Sequence, residues 1–403
     1  MSEMPASASE ELASPVQSLR ALIDLVTGRQ FSAEAPQEDA GLADTIPYPF
    51  LGMVGQREMK LALLVALINP LVSGVLLIGP RGTGKTTAVR SLIDLLPTVR
   101  RSACFYGCLP EDIEAGGIDA VCPDCARKYG EGRPLTRVDQ GRLVELPLNA
   151  RLEDVIGGLD ERAAAQQRVQ VKSGILKQAD LNVLYIDEVN LLEDEIVNAV
   201  LDAAAQGSYT VRRGPVASTY RSRFTLVGSM NPEEGNLRPQ IMDRFGLRVL
   251  VRGLEQPAER LEAYRRARAY RLNPRALAAQ FDEETRMARD EILAARDLLV
   301  HVDIPEEVTR ASTLLIQNLG IDSLRAEITL FEAARAYAAA DARTQVNITD
   351  IQTIAPLALR LRHSPFMIQY FHDQQQEEQR LTAQLNAVMD AGTKTIEEGN
   401  HGE

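Results

Sequence analysis

The feature that most restricts this chain is the octapeptide Gly79-Pro80-Arg81-Gly82-Thr83-Gly84-Lys85-Thr86, set directly behind the apolar run Val75-Leu76-Leu77-Ile78. It matches the phosphate-loop pattern G-x-x-x-x-G-K-[ST], and an apolar strand before it with a helix after it is the setting in which that pattern has a mechanism. Glycines let successive backbone N–H groups turn inward around an anion, and the following helix offers its positive end to the same charge. Lys85 can reach the β- and γ-phosphates of a nucleotide, and the Thr86 hydroxyl can ligate Mg2+. The expectation is ATP with Mg2+, bound along Gly79 to Thr87.

Two further apolar runs complete the set. Val183-Leu184-Tyr185-Ile186 ends in Asp187-Glu188, which would place Asp187 near the Mg2+ and Glu188 where it can polarise a water for attack on the γ-phosphate. Phe224-Thr225-Leu226-Val227 leads into Gly228-Ser229-Met230-Asn231-Pro232. There Asn231 could orient the attacking water, although an asparagine before proline also suits a simple turn. Short apolar strands alternating with helical stretches predict a parallel sheet covered on both faces. One such stretch is Gln56 to Asn69, with Leu61, Leu64, Val65 and Ile68 at helical spacing. A second helix should follow the loop and run through Leu96.

The organisation along the chain follows from where these signals start and stop. Residues 1–46 are rich in Ala, Ser, Glu and Pro, with a short amphipathic stretch around Leu19 to Val26, and read as a mobile extension. An α/β core spans 47–253. Strand signals vanish after about Leu254, and Ala- and Arg-rich helical segments fill 254–373 as a linker and C-terminal helical domain. Residues 374–403 read as a polar, Gln/Glu-rich helical tail. The 56 acidic residues outnumber the 44 Lys and Arg, for a net charge of -12, which disfavours a duplex-DNA binder because phosphate neutralisation needs a basic face. No apolar stretch reaches the roughly 18 residues a membrane helix requires. The N-terminus lacks the apolar segment of a secretory signal, so the expected location is cytoplasmic.

Four cysteines cluster as Cys104-x3-Cys108-x13-Cys122-x2-Cys125 within an insert of the core, 104–125. Four thiolates suit tetrahedral Zn2+, and Cys122-Pro-Asp-Cys125 has the spacing of one knuckle of such a site. A redox switch through the C-x-x-C pair and four unligated thiols are the other readings. If zinc binds, it is structural, because protein sulfur would fill every position.

The blocks Val54-Gly-Gln-Arg-Glu-Met-Lys60, Gly79 to Thr86, Tyr185-Ile-Asp-Glu-Val-Asn-Leu-Leu192, Gly228 to Asn236, Leu237 to Leu247, Leu324 to Leu330 and Ala355 to Leu361 together resemble the I subunit of magnesium chelatase. The resemblance covers most of residues 47–365. It implies an α/β AAA+ P-loop NTPase core with a parallel sheet and β-hairpin inserts, followed by a C-terminal helical domain. It also implies a homo-oligomeric ring, usually hexameric, with ATP between neighbours. Partners would be a second AAA+-like subunit, D, and a large porphyrin-binding subunit, H, together inserting Mg2+ into protoporphyrin IX. By the same resemblance Arg244 would be an arginine finger and Arg325 a second sensor of the γ-phosphate. Val54 and Gly55 would border the adenine, and Val211 to Tyr220 would form a hairpin near the pore. Gly214-Pro215, between β-prone residues, independently suits the turn of that hairpin. Arg168 to Leu176 departs from the family by lacking a Phe-x-Pro-Gly motif, as do both terminal extensions. A related remodelling ATPase that matures metalloenzymes or protein complexes is therefore the alternative reading. A nucleic-acid motor fits poorly with the acidic balance, and a dead scaffold fits poorly with an intact hydrolytic set.

Overall fold

A computed structural model of the chain describes residues 46–104, 106–159, 171–213, 216–235, 237–362, 376 and 379–383. The expected N-terminal extension, the hairpin turn Gly214-Pro215, Arg168 to Gln170 and most of the polar tail lie outside the described residues. Within the tail, 376 and 379–383 are helical.

The strands among the described residues are β1 (Val75–Ile78), β2 (Thr98–Ser102), β3 (Thr136–Gln140), β4 (Leu143–Leu146), β5 (Gly157–Leu159), β6 (Val171–Ser173), β7 (Val183–Ile186), β8 (Ser208–Arg213), β9 (Val216–Arg221), β10 (Thr225–Met230) and β11 (Leu247–Leu250). Five of them form one parallel sheet in the order β11-β1-β10-β7-β4. The three strands read from the sequence, β1, β7 and β10, lie side by side at its centre. Val75 stands opposite both Val227 and Leu247, and Leu184 opposite both Leu226 and Val144. The remaining strands pair as antiparallel ribbons, β2 with β3, β5 with β6 and β8 with β9.

Side chains alternate between the two faces of the sheet, as the pleat requires. Val75, Leu77, Val183, Tyr185, Val227, Leu247 and Val249 turn to one apolar cluster, while Leu76, Ile78, Leu184, Ile186, Leu226 and Met230 turn to the other. Both faces are buried, so β1 and β7 read as unbroken apolar runs and β10 carries only small or hydroxyl residues among its apolar ones. Glu145 interrupts such a run in β4 and Arg248 interrupts it in β11. Arg248 is nonetheless buried, because its guanidinium donates to the carbonyls of Arg360 and Leu361 and lies 3.4 Å from Asp243.

The helix expected at 56–69 runs from Arg57 to Ile68. Its C-terminal end is held from outside: the Arg296 guanidinium donates to the Leu67 carbonyl at 2.6 and 2.9 Å, and the side chain of the capping residue Asn69 donates through Nδ2 to Glu332 Oε2 at 2.7 Å. These contacts brace the connection that delivers β1 and hence the loop behind it. The helix after the loop is shorter than its sequence pattern predicts. It is α-helical over Lys85–Arg90 and tightens to a 3-10 helix over Ser91–Leu95. Ser91 Oγ bonds back to the Ala88 carbonyl, and Leu96 precedes a proline, and both features disfavour a continued α-helix. After β11 come the helices Pro257–Leu272, Pro274–Gln280, Asp282–Leu299, Glu306–Asn318, Leu324–Ala340 and Ile348–Leu359. The buried alanines of Leu324–Ala340, including Ala326, Ala333, Ala334 and Ala336, let this helix share the first cluster with Arg57–Ile68.

Candidate nucleotide site

The C-terminal ends of β1, β7 and β10 open into a cavity of about 230 Å3 lined by Arg81 to Thr87, Asp187, Glu188, Ser229 and Asn231. Gly79 lies beneath it, and only glycine fits there: a Cβ would sit 2.1 Å from the Val251 carbonyl oxygen. Lys85 Nζ donates to the carbonyls of Gly79 at 2.6 Å and Pro80 at 2.8 Å, so its ammonium lies under the loop. Burial pulls Lys85 below its ordinary pKa, opposed by the negative charges of Asp187, Glu188 and Glu234.

Asp187 is the best-supported carboxylate of the cavity. It accepts from Thr86 Oγ1 at 3.2 Å, from the Tyr185 hydroxyl at 2.8 Å and from Ser229 Oγ. Burial would raise its pKa, but the bonds from Ser229, Tyr185 and Thr86 outweigh burial and hold the carboxyl below its ordinary value. Thr86 and an anionic Asp187 in contact are a donor set that fits a hard divalent cation such as Mg2+. Next to it, Glu188 turns the chain with φ +52°, its N–H donating to Ser229 Oγ at 3.1 Å. Its carboxylate lies 3.4 Å from Arg81, which also pairs with Glu234. Asn231 is buried, and its side chain accepts from the Glu233 N–H at 3.3 Å. It thus serves the turn and lines the cavity as well.

Val54 and Gly55 line neither the phosphate cavity nor the one beside it, and the residue after them, Gln56, makes the link to the loop. Gln56 Nε2 donates to the Arg252 carbonyl at 2.7 Å and to the Thr83 carbonyl at 3.4 Å. Beyond them lies a second cavity, of about 560 Å3, lined by Gln56 to Met59 and Arg252 to Gln256 among others.

Arg244 and Arg325 stand elsewhere, since neither lines the phosphate cavity. Arg244 pairs with Asp202, and Arg325 Nη1 lies 3.2 Å from Oδ2 of Asp243, the residue just before Arg244. Asp243 also meets Arg362 at 2.8 Å, Arg248 at 3.4 Å and the Ser323 hydroxyl at 3.2 Å. The four cysteines form a third group, with Sγ atoms within 4.8 Å of one another and no disulfide among them.

Sequence reasoning missed two residues here, Tyr185 and Ser229. Both stood inside the motifs, and the signal was a hydroxyl residue on the strand that leads into Asp187 or on the strand beside it.

The AAA domain family matches residues 73–229, and the AAA lid domain family matches 310–384. The magnesium-chelatase subunit ChlI homolog of Methanocaldococcus jannaschii is 42% identical over 323 residues, covering 79% of this chain and 87% of that protein. The chain belongs to the magnesium-chelatase subunit I family. The magnesium-chelatase 38 kDa subunit of Acidiphilium rubrum is likewise 42% identical, covering 79% of this chain and 92% of its own length. A chain from a cryo-EM reconstruction of the complex between subunits BchI and BchD of magnesium chelatase is 37% identical, covers 79% of this chain and 96% of its own, and has a TM-score of 0.45. Family membership makes the chain an AAA ATPase with an α/β core and a helical lid. Among the described residues, no helix is long and apolar enough to cross a membrane.

Proposed function

We propose that this chain is the ATP-hydrolysing subunit of a ring, a hexamer with one ATP between each pair of neighbours. Working in the cytoplasm with D-type and H-type partner subunits, it drives insertion of Mg2+ into protoporphyrin IX on the route to chlorophyll or bacteriochlorophyll. The names of its relatives support a magnesium-chelatase role. The observation that carries the ring is the separation of Arg244 and Arg325 from the phosphate cavity of their own chain. A guanidinium serves phosphoryl transfer only within reach of the γ-phosphate, so these two act on the nucleotide of a neighbour.

In this reading the loop amides and Lys85 hold the phosphates, with Val54 and Gly55 bordering the base. Thr86 and Asp187 hold Mg2+, which neutralises phosphate charge when bound. Glu188 accepts a proton from the attacking water, and Asn231 orients that water. Zn2+ belongs to the same reading, as a structural ion on Cys104, Cys108, Cys122 and Cys125.

The test is Mg2+ insertion into protoporphyrin IX, followed by fluorescence, with D and H partners, ATP and this chain. Product that requires this chain and disappears with Glu188→Gln is the expected result. ATP hydrolysis without product would replace the chelatase with a remodeller of metalloenzymes or protein complexes.

A further inference from the structure

Among its described residues, the insert between β2 and β3 has little apolar support. Its buried side chains are Cys108, Ile113, Cys125 and Leu135, with Cys104, Val121 and Cys122 packed against them. Two buried aliphatic side chains among the described residues do little to offset the entropy of ordering such a segment, and small units of this kind are commonly stapled. Cys108 and Cys125 are buried in that miniature core and Cys104 and Cys122 pack against it, with all four sulfurs close together. Around a tetrahedral Zn2+ with Zn–S near 2.3 Å, sulfurs stand roughly 3.8 Å apart, a spacing the 4.8 Å limit accommodates. Backbone N–H groups already point at sulfur: that of Cys108 at Cys104 Sγ and that of Cys122 at Cys108 Sγ, both at 3.3 Å. Such donors support metal-bound thiolate and fix its direction.

What the insert touches is the base of the β8–β9 ribbon. Between the first two cysteines, the Tyr106 ring stacks on Tyr220 with centroids 5.6 Å apart and planes 8° from parallel. The Gly107 carbonyl accepts from Arg221 Nη1 at 3.2 Å, and Asp112 pairs with Arg221 Nη2. Gly107 has φ +83°, and a Cβ there would stand 3.0 Å from Arg221 Cβ, so the approach is as close as glycine permits. On the far side, Tyr220 lies against Tyr209 of β8. An ion on Cys104 and Cys108 would therefore set the residues that grip the last two positions of β9.

We infer that the four-cysteine site binds Zn2+ in order to fix the β8–β9 hairpin to the ATPase core, so that metal occupancy is felt by the hairpin and not by the nucleotide cavity. This rests on the zinc reading above. None of the residues in the chain of contacts from Cys104 to Tyr209 lines the phosphate cavity, which is why the two effects separate.

The experiment uses the full chain. Elemental analysis should find one zinc per chain, lost in Cys125→Ser, and Co2+ substituted for zinc should give thiolate charge-transfer absorption. Hydrogen exchange is then compared before and after zinc is removed by a chelator. Amides of 208–213 and 216–221 should exchange about tenfold faster without the ion, while binding of a fluorescent ATP analogue changes less than about twofold. Arg221→Ala, which leaves every ligand in place, should reproduce the faster exchange with zinc retained, and so covers the case in which the cysteine variant misfolds. A chain that takes up neither Zn2+ nor Co2+, or that carries a Cys122–Cys125 disulfide instead, overturns both the zinc reading and the inference. Zinc present, but hairpin exchange indifferent to its removal, overturns the inference alone.

Discussion

Asp187 and Asp243 are both partly buried carboxylates that collect several hydrogen bonds, yet their partners differ in kind. Asp187 is surrounded by three neutral hydroxyls, from Thr86, Tyr185 and Ser229. Asp243 is surrounded by three guanidiniums, from Arg248, Arg325 and Arg362, with Ser323 as its one neutral donor. Hydroxyls stabilise an anion without cancelling its charge, so Asp187 still attracts a cation. At Asp243 the balance is reversed: one negative charge faces three positive ones. Crowding among those cations is visible at Arg248, where burial, and then the charge of Arg362, lower the pKa to about 10. The first carboxylate keeps its charge among neutral donors, as a metal ligand would need. The second is arranged to hold arginines in place, two of them buried and one exposed.

The comparison breaks most directly at the arginines. Arg244→Ala should cut ring-dependent hydrolysis by about 10^3-fold or more while leaving nucleotide affinity nearly unchanged, as for a finger that meets only the phosphate of a neighbour. Steady-state turnover and analogue binding measure the two effects, and mixing with wild-type chains should poison the mixed rings. Mixed rings whose activity is simply proportional to the wild-type fraction would place the finger within its own chain. On the other side of the comparison, Glu188→Gln should lower turnover by about 10^2- to 10^4-fold with ATP still bound. Lys85→Ala should instead lose the binding itself. Equal loss of binding in both variants would deny Glu188 its role with the water.

Asp243→Asn sharpens the contrast through stability. Arg248 and Arg362 have side chains 1% and 0% exposed, and each would lose its anionic partner. Removing one member of a buried pair costs about 3–5 kcal/mol, and the 31% exposure of the Asp243 side chain puts the expectation at the lower end, about 3 kcal/mol in urea unfolding. Arg325→Ala touches the same carboxylate but removes a side chain that is 55% exposed, so its cost should stay below about 1 kcal/mol. Its damage should fall on hydrolysis. A similar stability loss from both substitutions would mean that Arg325 belongs to the scaffold.

The two regions also differ in how far the sequence disclosed them. The Asp187 site was legible because its chemistry lies at strand ends, and those strands, buried on both faces, announce themselves as largely apolar runs. β4 and β11 escaped because Glu145 and Arg248 break that signal. The burial of Arg248 depends on the carbonyls of Arg360 and Leu361, more than a hundred residues further on, which no local pattern encodes. The Asp243 hub was hidden for the same reason, since its arginines come from β11, from the helix Leu324–Ala340 and from Arg362. Family resemblance marked Arg244 and Arg325 as important. Their separation from the phosphate cavity emerged only from the packing. The cysteine spacing suggested a metal, but its contact with the hairpin depends on Tyr106 and Gly107, which carry no signature of their own.

The smallest effect tests the hydroxyl shell itself. Tyr185→Phe keeps the ring in the apolar cluster and removes one of the three donors to Asp187. One such bond is worth about 1 kcal/mol, which corresponds to roughly fivefold in the Mg2+ concentration needed for half-maximal hydrolysis. Binding of ATP without Mg2+ should not move, because the phenol does not line the phosphate cavity. Ser229→Ala should cost more, since Ser229 both donates to Asp187 and accepts the Glu188 N–H that holds the turn at φ +52°. Titrating Mg2+ at saturating ATP separates the two variants. If neither shifts the Mg2+ requirement, the hydroxyls serve only packing, and the contrast between a carboxylate kept charged for a metal and one neutralised by arginines loses its first half.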